Sequence, residues 1–266
     1  MTDSTLPRAP RARFQISEVM QERLVGLISP IALLLVWEVF ARTGFLDVRF
    51  FPPPSRIIAT LIEMLKSGEL TEHTVTSLAR LGAGFLFGGI PALLIGVVMG
   101  LSRPVRAAID PLIAATYPIP KSSILPLALL VFGLGESSKI FMVAIGVFYP
   151  IAMNTMTGVR EINKIYLDVG HNFKASRINV FRTIALPGAL PTIMTGVKLG
   201  VGLGLVLIAI AEMVGAKSGL GFMIWNAWET FAVEKMYVGL FVIALIGFVL
   251  TVVTNEIEKL LVPWKS

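Results

Sequence analysis

The sequence predicts an all-α polytopic membrane protein: six transmembrane helices with an amphipathic helix on one side and a cytoplasmic helical hairpin on the other. Three observations carry this. Of 266 residues, 55% are hydrophobic and 15% charged, and the mean hydropathy is +0.79, which leaves too little polar surface to coat a soluble domain. The apolar residues fall in runs of about 20, the length that crosses roughly 30 Å of hydrocarbon. The basic residues gather beside alternate ends of those runs, the pattern of cytoplasmic loops.

The runs lie near 24–41, 79–101, 109–132, 139–158, 190–212 and 237–256. The first follows Arg8, Arg11, Arg13 and Arg23 and precedes Val39-Phe40-Ala41, a tolerable signal-cleavage site. Glu38 interrupts the run just before that site and no separate soluble domain follows, so an uncleaved span is expected after a cytoplasmic segment 1–23. With the N-terminus inside, Arg103, Arg106, Arg160, Lys164, Lys174, Arg177, Arg182, Lys259 and Lys265 share its side. Arg49, Arg56, Lys66, Lys217 and Lys235 remain outside, interleaved with acids. Both termini are therefore expected in the cytoplasm, with a core at 79–258, its largest cytoplasmic loop at 159–188, and a tail at 259–266.

Within the external loop 42–78, Ile57, Ile58, Leu61, Ile62 and Leu65 recur at helical spacing with acids between them. That predicts an amphipathic helix over 55–76, lying on the outer membrane face or solvated in the loop. Gly84 and Gly88, Gly96 and Gly100, and Gly196, Gly200 and Gly204 repeat at four-residue intervals, a smooth face that lets backbones approach. Pro91, Pro118, Pro120 and Pro126 fall within apolar runs and predict irregular second and third spans, as path-lining helices or as ordinary kinks.

Several function classes are excluded. With no cysteine there are no disulfides, thiolate metal sites or cysteine nucleophiles. The net charge of +6 sits beside spans rather than on a nucleic-acid-binding face. The run Gly133–Lys139 resembles a phosphate loop but has Ser138 where glycine is needed and Ile140 where Ser or Thr is needed. His73 and His171 fall on opposite sides of the membrane, and no catalytic triad or carboxylate pair shares a leaflet. No cofactor, metal site or enzymatic activity is expected. A stand-alone secondary transporter would typically show inverted repeats, and no convincing repeat is found.

Lys121, Lys198 and Glu212 are charged residues placed at membrane depth, where ionisable groups are functional candidates by default. Glu212 can also end the fifth span at the outer interface, and Lys198 can snorkel toward the inner one. Lys121, between Pro120 and Ser122-Ser123 in a broken stretch, is a candidate for a cavity-facing cation.

In loop 159–188, Ile162, Ile165, Tyr166, Val169 and Phe173 form one helical face, and Ile178, Val180, Phe181 and Ile184 a second that runs to Pro187. Two short amphipathic helices joined near Lys174 make the hairpin. A merely connecting loop needs only a few residues, so this one reads as a docking knob for a soluble partner.

Those residues resemble a family. Inner-membrane permeases of binding-protein-dependent ABC importers carry Glu-Ala-Ala, three residues, Gly, nine residues, Ile, any residue, Leu-Pro. Asp168-Val169-Gly170, then Lys174, then Ile184-Ala185-Leu186-Pro187 keep every spacing. Leu186–Pro191 with Gly196-Val197-Lys198, Ala211-Glu212 with Ser218-Gly219-Leu220-Gly221, and Pro120 with Leu125-Pro126-Leu127 ahead of Phe132-Gly133 look like the permeases for nitrate, sulfonates and taurine. The similarity covers about 79–258.

The resemblance implies a bacterial inner-membrane homodimer forming the translocation path. Two separate ATP-binding subunits would dock on the hairpins, and an external substrate-binding protein would deliver a small anion of the nitrate, sulfonate or taurine type. A thiamine-precursor-like or other organic solute is the alternative. ATPase coupling falls to Asp168, Val169, Gly170, His171, Phe173, Lys174, Ile184, Leu186 and Pro187, and the path to Pro120, Lys121, Ser122, Ser123, Lys198 and Glu212. Lys174 stands where the family has glycine. If that position is left-handed, a β-carbon costs roughly 1 kcal/mol there, or else the turn is built differently.

Overall fold

The computed structural model describes residues 18–162, 165, 168 and 172–265. Among them every regular element is a helix, and the chain divides into two units, 1–56 and 57–266.

In the first unit, α1 (Glu18–Arg42) is helical across the expected first span. Glu38, which interrupts its apolar run, accepts from the Ser55 hydroxyl at 2.8 Å, the Ser55 amide at 2.9 Å and Arg42 Nε at 2.5 Å. The carboxylate thus pins the chain that follows back against the last turn of α1. In that following segment Arg49, 2.7 Å from Asp47, holds the Asp47 carboxyl below its usual range.

The chain continues through α2 (Pro54–Ser67), α3 (Glu69–Leu101), α4 (Arg103–Thr116), α5 (Leu125–Phe132) and α6 (Glu136–Arg160). After α6 come α7 (Arg177–Val180), α8 (Leu186–Met213), α9 (Leu220–Glu229) and α10 (Val233–Leu261). Four helical stretches, 69–101, 136–160, 181–213 and 233–261, are long and apolar enough to cross a membrane among the described residues. The bent pair 103–116 and 121–132 makes a fifth. An expected count of six rests, for its first member, on α1.

Two sequence expectations need correcting. The amphipathic helix over 55–76 is two helices, because Gly68 at φ 82° ends α2 and opens α3. Part of its apolar face is packed inside the protein, Ile57, Leu61 and Met64 meeting Leu70, Leu220, Met223, Val238 and Val242 of α3, α9 and α10, while Ile58, Ile62 and Leu65 are exposed. The second span is unbroken, Pro91 sitting on the exposed side of α3. The third span is irregular, as its prolines predict. Pro118 and Pro120 have no amide hydrogen to continue α4, and the chain turns by 89° through a 3₁₀ turn, Lys121–Ile124, into α5.

The centre of the second unit is a three-helix sandwich with α6 in the middle. Its registers follow from the glycines: Gly84, Gly88, Gly96 and Gly100 of α3 meet Val143, Ala144, Ala152 and Val159 of α6, so α3 and α6 run parallel. Gly196, Gly200 and Gly204 of α8 meet Pro150, Ile151 and Val147, so α8 runs antiparallel. Ala92, fully buried, fills the gap between Gly88 and Gly96, giving a small residue at every fourth position from 84 to 100. Both neighbours therefore press their bare backbones onto α6. In a membrane, where apolar burial gives no net drive between helices, that proximity supplies the dispersion contact that holds them together. Between them lies a core of Leu81, Ala92, Val143, Val147, Ile151, Ala152 and Ile208.

Candidate functional site

Three polar regions stand out on this apolar frame. At one end, where α3 and α6 begin and α8 finishes, lies a four-charge cluster of which three members are buried and one, Glu136, is exposed. Arg80 of α3 is 4% exposed and Glu212 of α8 is 0% exposed. Arg80 donates to Glu212 Oε1 at 2.8 Å, to Glu136 at 2.5 and 2.6 Å, and to the Ser218 carbonyl at 2.7 Å. Glu212 also accepts from the Ser77 hydroxyl, at 2.7 Å to the nearer oxygen, and from the Gly221 amide at 3.0 Å. Ser77 in turn accepts from the Leu220 amide at 2.8 Å, and His73 Nδ1 accepts from the Gly219 amide at 3.1 Å. The fourth charge, Lys139, is 1% exposed and bonds the carbonyls of Leu134, Gly135 and Gly215.

Two acids and two bases thus balance, and every ammonium proton has an acceptor. Glu212 is an anchor for the loop after α8 as well as the end of that helix. Gly219, at φ 113°, leaves its space to the carboxylate, since a β-carbon there would lie 2.3 Å from Glu212 Cδ. Sequence reasoning found Glu212 but missed Arg80, Glu136 and Lys139, which stand at the first residues of their apolar runs and read as ordinary flanking charges. The available signal was four charges of balanced sign at equivalent depth.

The second region is the break between α4 and α5. Lys121 reaches back so that Nζ lies 3.1, 2.9 and 3.0 Å from the carbonyls of Thr116, Tyr117 and Ile119. It sits 4.1 Å from the centroid of the Tyr149 ring and 5.6 Å from that of Tyr117. Pro120, Ser122 and Ser123 beside it are exposed. Tyr149 also closes one end of an apolar groove of about 580 Å³ along α6, lined by Phe87, Phe132, Ser137, Phe141 and Phe148 among others. Lys198 is far from this break in contact terms: it pairs with Glu258 of α10. The structure therefore brings Pro120, Lys121, Ser122 and Ser123 together and places Lys198 and Glu212 in two other settings.

The third region is the expected coupling segment. Val169, Gly170 and His171 lie outside the described residues; Asp168 is helical and exposed. Phe173 is 83% exposed. Lys174 takes φ 51°, the left-handed conformation that favours glycine. Ser176 then caps the next helix, its hydroxyl accepting from the Asn179 amide at 3.3 Å and its carbonyl from the Val180 amide at 2.9 Å. The chain past this cap is not a free-standing second helix, as the sequence suggested. α7 runs through a π segment, Phe181–Ala185, directly into α8, with the Leu186 amide bonded to the Phe181 carbonyl. The wider turn makes room for Pro187, whose ring would clash with a carbonyl four residues back. Ile184 and Pro187 line a cleft of about 330 Å³ with Glu161, Ile162, Thr183 and Trp264.

The geometry at Lys174 carries a prediction. Lys174→Gly is expected to relieve roughly 1 kcal/mol of left-handed strain, seen as slower hydrogen exchange of the amides of 172–180. Unchanged or faster exchange would show that the lysine sits there without strain.

A family model described as the inner membrane component of binding-protein-dependent transport systems matches residues 92–266. The chain is 36% identical over 241 residues to the taurine transport system permease protein of Escherichia coli (strain K12), covering 87% of this chain and 86% of that one. It is 34% identical over 242 residues to a putative aliphatic sulfonates transport permease protein of the same organism, covering 91% and 92%. A methionine ABC transporter solved in inward-facing conformations superposes with a TM-score of 0.61 at 17% identity, over 71% of this chain and 94% of that one, a likeness of fold.

Proposed function

Because the chain belongs to the family of inner membrane components of binding-protein-dependent transport systems, we propose that it is the path-forming subunit of an ATP-driven importer for a small anion of the sulfonate or taurine type. Two copies enclose the path, two separate ATP-binding subunits dock at the coupling segment, and an external binding protein delivers the solute. Both termini and the segment 159–188 face the cytoplasm, in keeping with the basic residues on that side.

One observation carries the reading. Residues 117–124 are non-α backbone within an apolar stretch, and most of them are exposed on the single chain. Backbone of that kind is tolerated at membrane depth only where protein covers it or water reaches it. A second copy and an aqueous path supply both. Lys121 is the cation at that place, and the relatives that carry taurine and sulfonates supply the class of solute.

The test is uptake in proteoliposomes that hold the chain with its ATP-binding subunits and binding protein. Asp168→Lys and Gly170→Trp are expected to abolish ATP-coupled uptake while leaving membrane insertion intact. Full transport by either variant removes the coupling role, and uptake by the chain alone replaces this reading with a secondary transporter.

A further inference from the structure

The resting geometry of Lys121 sets a problem for an anion path. Its ammonium has three protons, and the carbonyls of Thr116, Tyr117 and Ile119 take all three. In that pose Lys121 has no donor left for a sulfonate oxygen. To meet an anion it must leave, and leaving exposes carbonyls that the chain cannot satisfy by itself. Pro118 and Pro120 have no amide hydrogen, and among these three carbonyls the Thr116 oxygen alone has a backbone donor, the Ile119 amide at 3.2 Å. Water can meet the vacated carbonyls, since all three hydrogen bonds lie on an exposed part of the chain, but three converging acceptors beside the Tyr149 ring favour a cation over water.

The place is shaped for one kind of cation. Three acceptors at 2.9 to 3.1 Å surround one nitrogen, which suits a primary ammonium and excludes a quaternary one, which has no proton to give. The Tyr149 and Tyr117 faces, 4.1 and 5.6 Å from the same nitrogen, add cation–π attraction. Tyr149 belongs to the apolar groove as well, so the place adjoins the space a solute would use.

We propose that the carbonyls of Thr116, Tyr117 and Ile119 with the ring of Tyr149 form a seat for a primary ammonium, held in the resting chain by Lys121 and taken over by the ammonium end of a zwitterionic solute. The exchange frees the Lys121 ammonium to pair with the acidic end of the same molecule. A solute with both groups thereby fills the seat and pairs Lys121 at once, whereas a simple sulfonate leaves the carbonyls and the Tyr149 face to water. The assignment to a solute rests on the importer reading above; the seat itself does not.

Two measurements separate them. In the first, the purified Lys121→Ala chain is titrated with ethylammonium chloride, against sodium and potassium chloride at equal ionic strength, and its thermal unfolding is followed. A saturable rise in Tm with ethylammonium alone, absent from the unsubstituted chain and from Lys121→Met, is expected. No rise, or an equal rise with potassium or in Lys121→Met, overturns the seat. In the second, the complete transporter takes up taurine or ethanesulfonate. Tyr149→Leu is expected to lower the ratio of taurine to ethanesulfonate uptake about fivefold, and a change in equal proportion overturns the role in solute recognition. Uptake of neither sulfonate by the unsubstituted transporter sinks the importer's solute class, while the Tm result still decides the seat.

Discussion

Arg80→Met is expected to cost the fold about 3–5 kcal/mol, the usual range when one partner of a buried ion pair is removed. The arginine is 4% exposed and binds two carboxylates and a carbonyl, drawn from α6, from α8 and from the loop after α8. Without it, Glu136 can turn to solvent, since its side chain is 62% exposed. Glu212 cannot, being 0% exposed, and it keeps one hydroxyl and one amide to offset a full charge. Replacing the pair together, as Arg80→Met with Glu212→Leu, is expected to recover much of the loss, because an apolar pair avoids the desolvation of both ions. Thermal unfolding of the purified single and double variants reads this directly. A double variant no better than the sum of its parts would show that the two side chains act independently.

The second large effect is expected at Gly88. A β-carbon there would lie 2.2 Å from the Ala144 carbonyl oxygen and 2.7 Å from its α-carbon, and backbone on both sides cannot step aside. Gly88→Ala must push α3 off α6, loosening the contacts at Gly84, Gly96 and Gly100 together, at a cost of about 2 kcal/mol. Gly82 lies on the same helix with nothing within 4 Å of an added carbon, so Gly82→Ala is expected to be neutral or to stabilise by up to about 1 kcal/mol. Equal melting of the two variants would mean that the seam is looser than its geometry.

Much of this was legible in the residues. Glycine spacing announced close helix packing, because a stripe at every fourth position can do little else in an apolar helix. It did not announce the partner, since register between helices is a property of two surfaces and the sequence displays one at a time. The same limit hid Arg80 and Lys139. Each looks like a charge at the edge of a span until the residues 132 and 76 positions away that bind them are brought alongside. The proposed coupling segment shows the opposite case. Its spacing, read against a family pattern, located the turn at Lys174, and the turn is left-handed there although the residue is not glycine. Local conformation is set by a few neighbouring residues and survives a substitution that costs about 1 kcal/mol. The break at 117–124 fell between the two: the prolines marked it, but the three carbonyls that converge on Lys121 follow from the 89° bend.

The helix that begins in the proposed coupling segment has a mechanical consequence. Phe181–Met213 is one rod of 33 residues, about 50 Å long at 1.5 Å per residue. Tilting such a rod by 5° about its middle displaces each end by about 2 Å, enough to sever a hydrogen bond. One end carries Ile184 and Pro187, and Glu212 lies at the other. A push delivered at the first end therefore either tears Glu212 from Arg80 and Ser77 or carries α3 and α6 along with it. With glycine seams gripping along the rod and an ion cluster fastening its tip, the second outcome costs less, and the piece that swings is three helices thick.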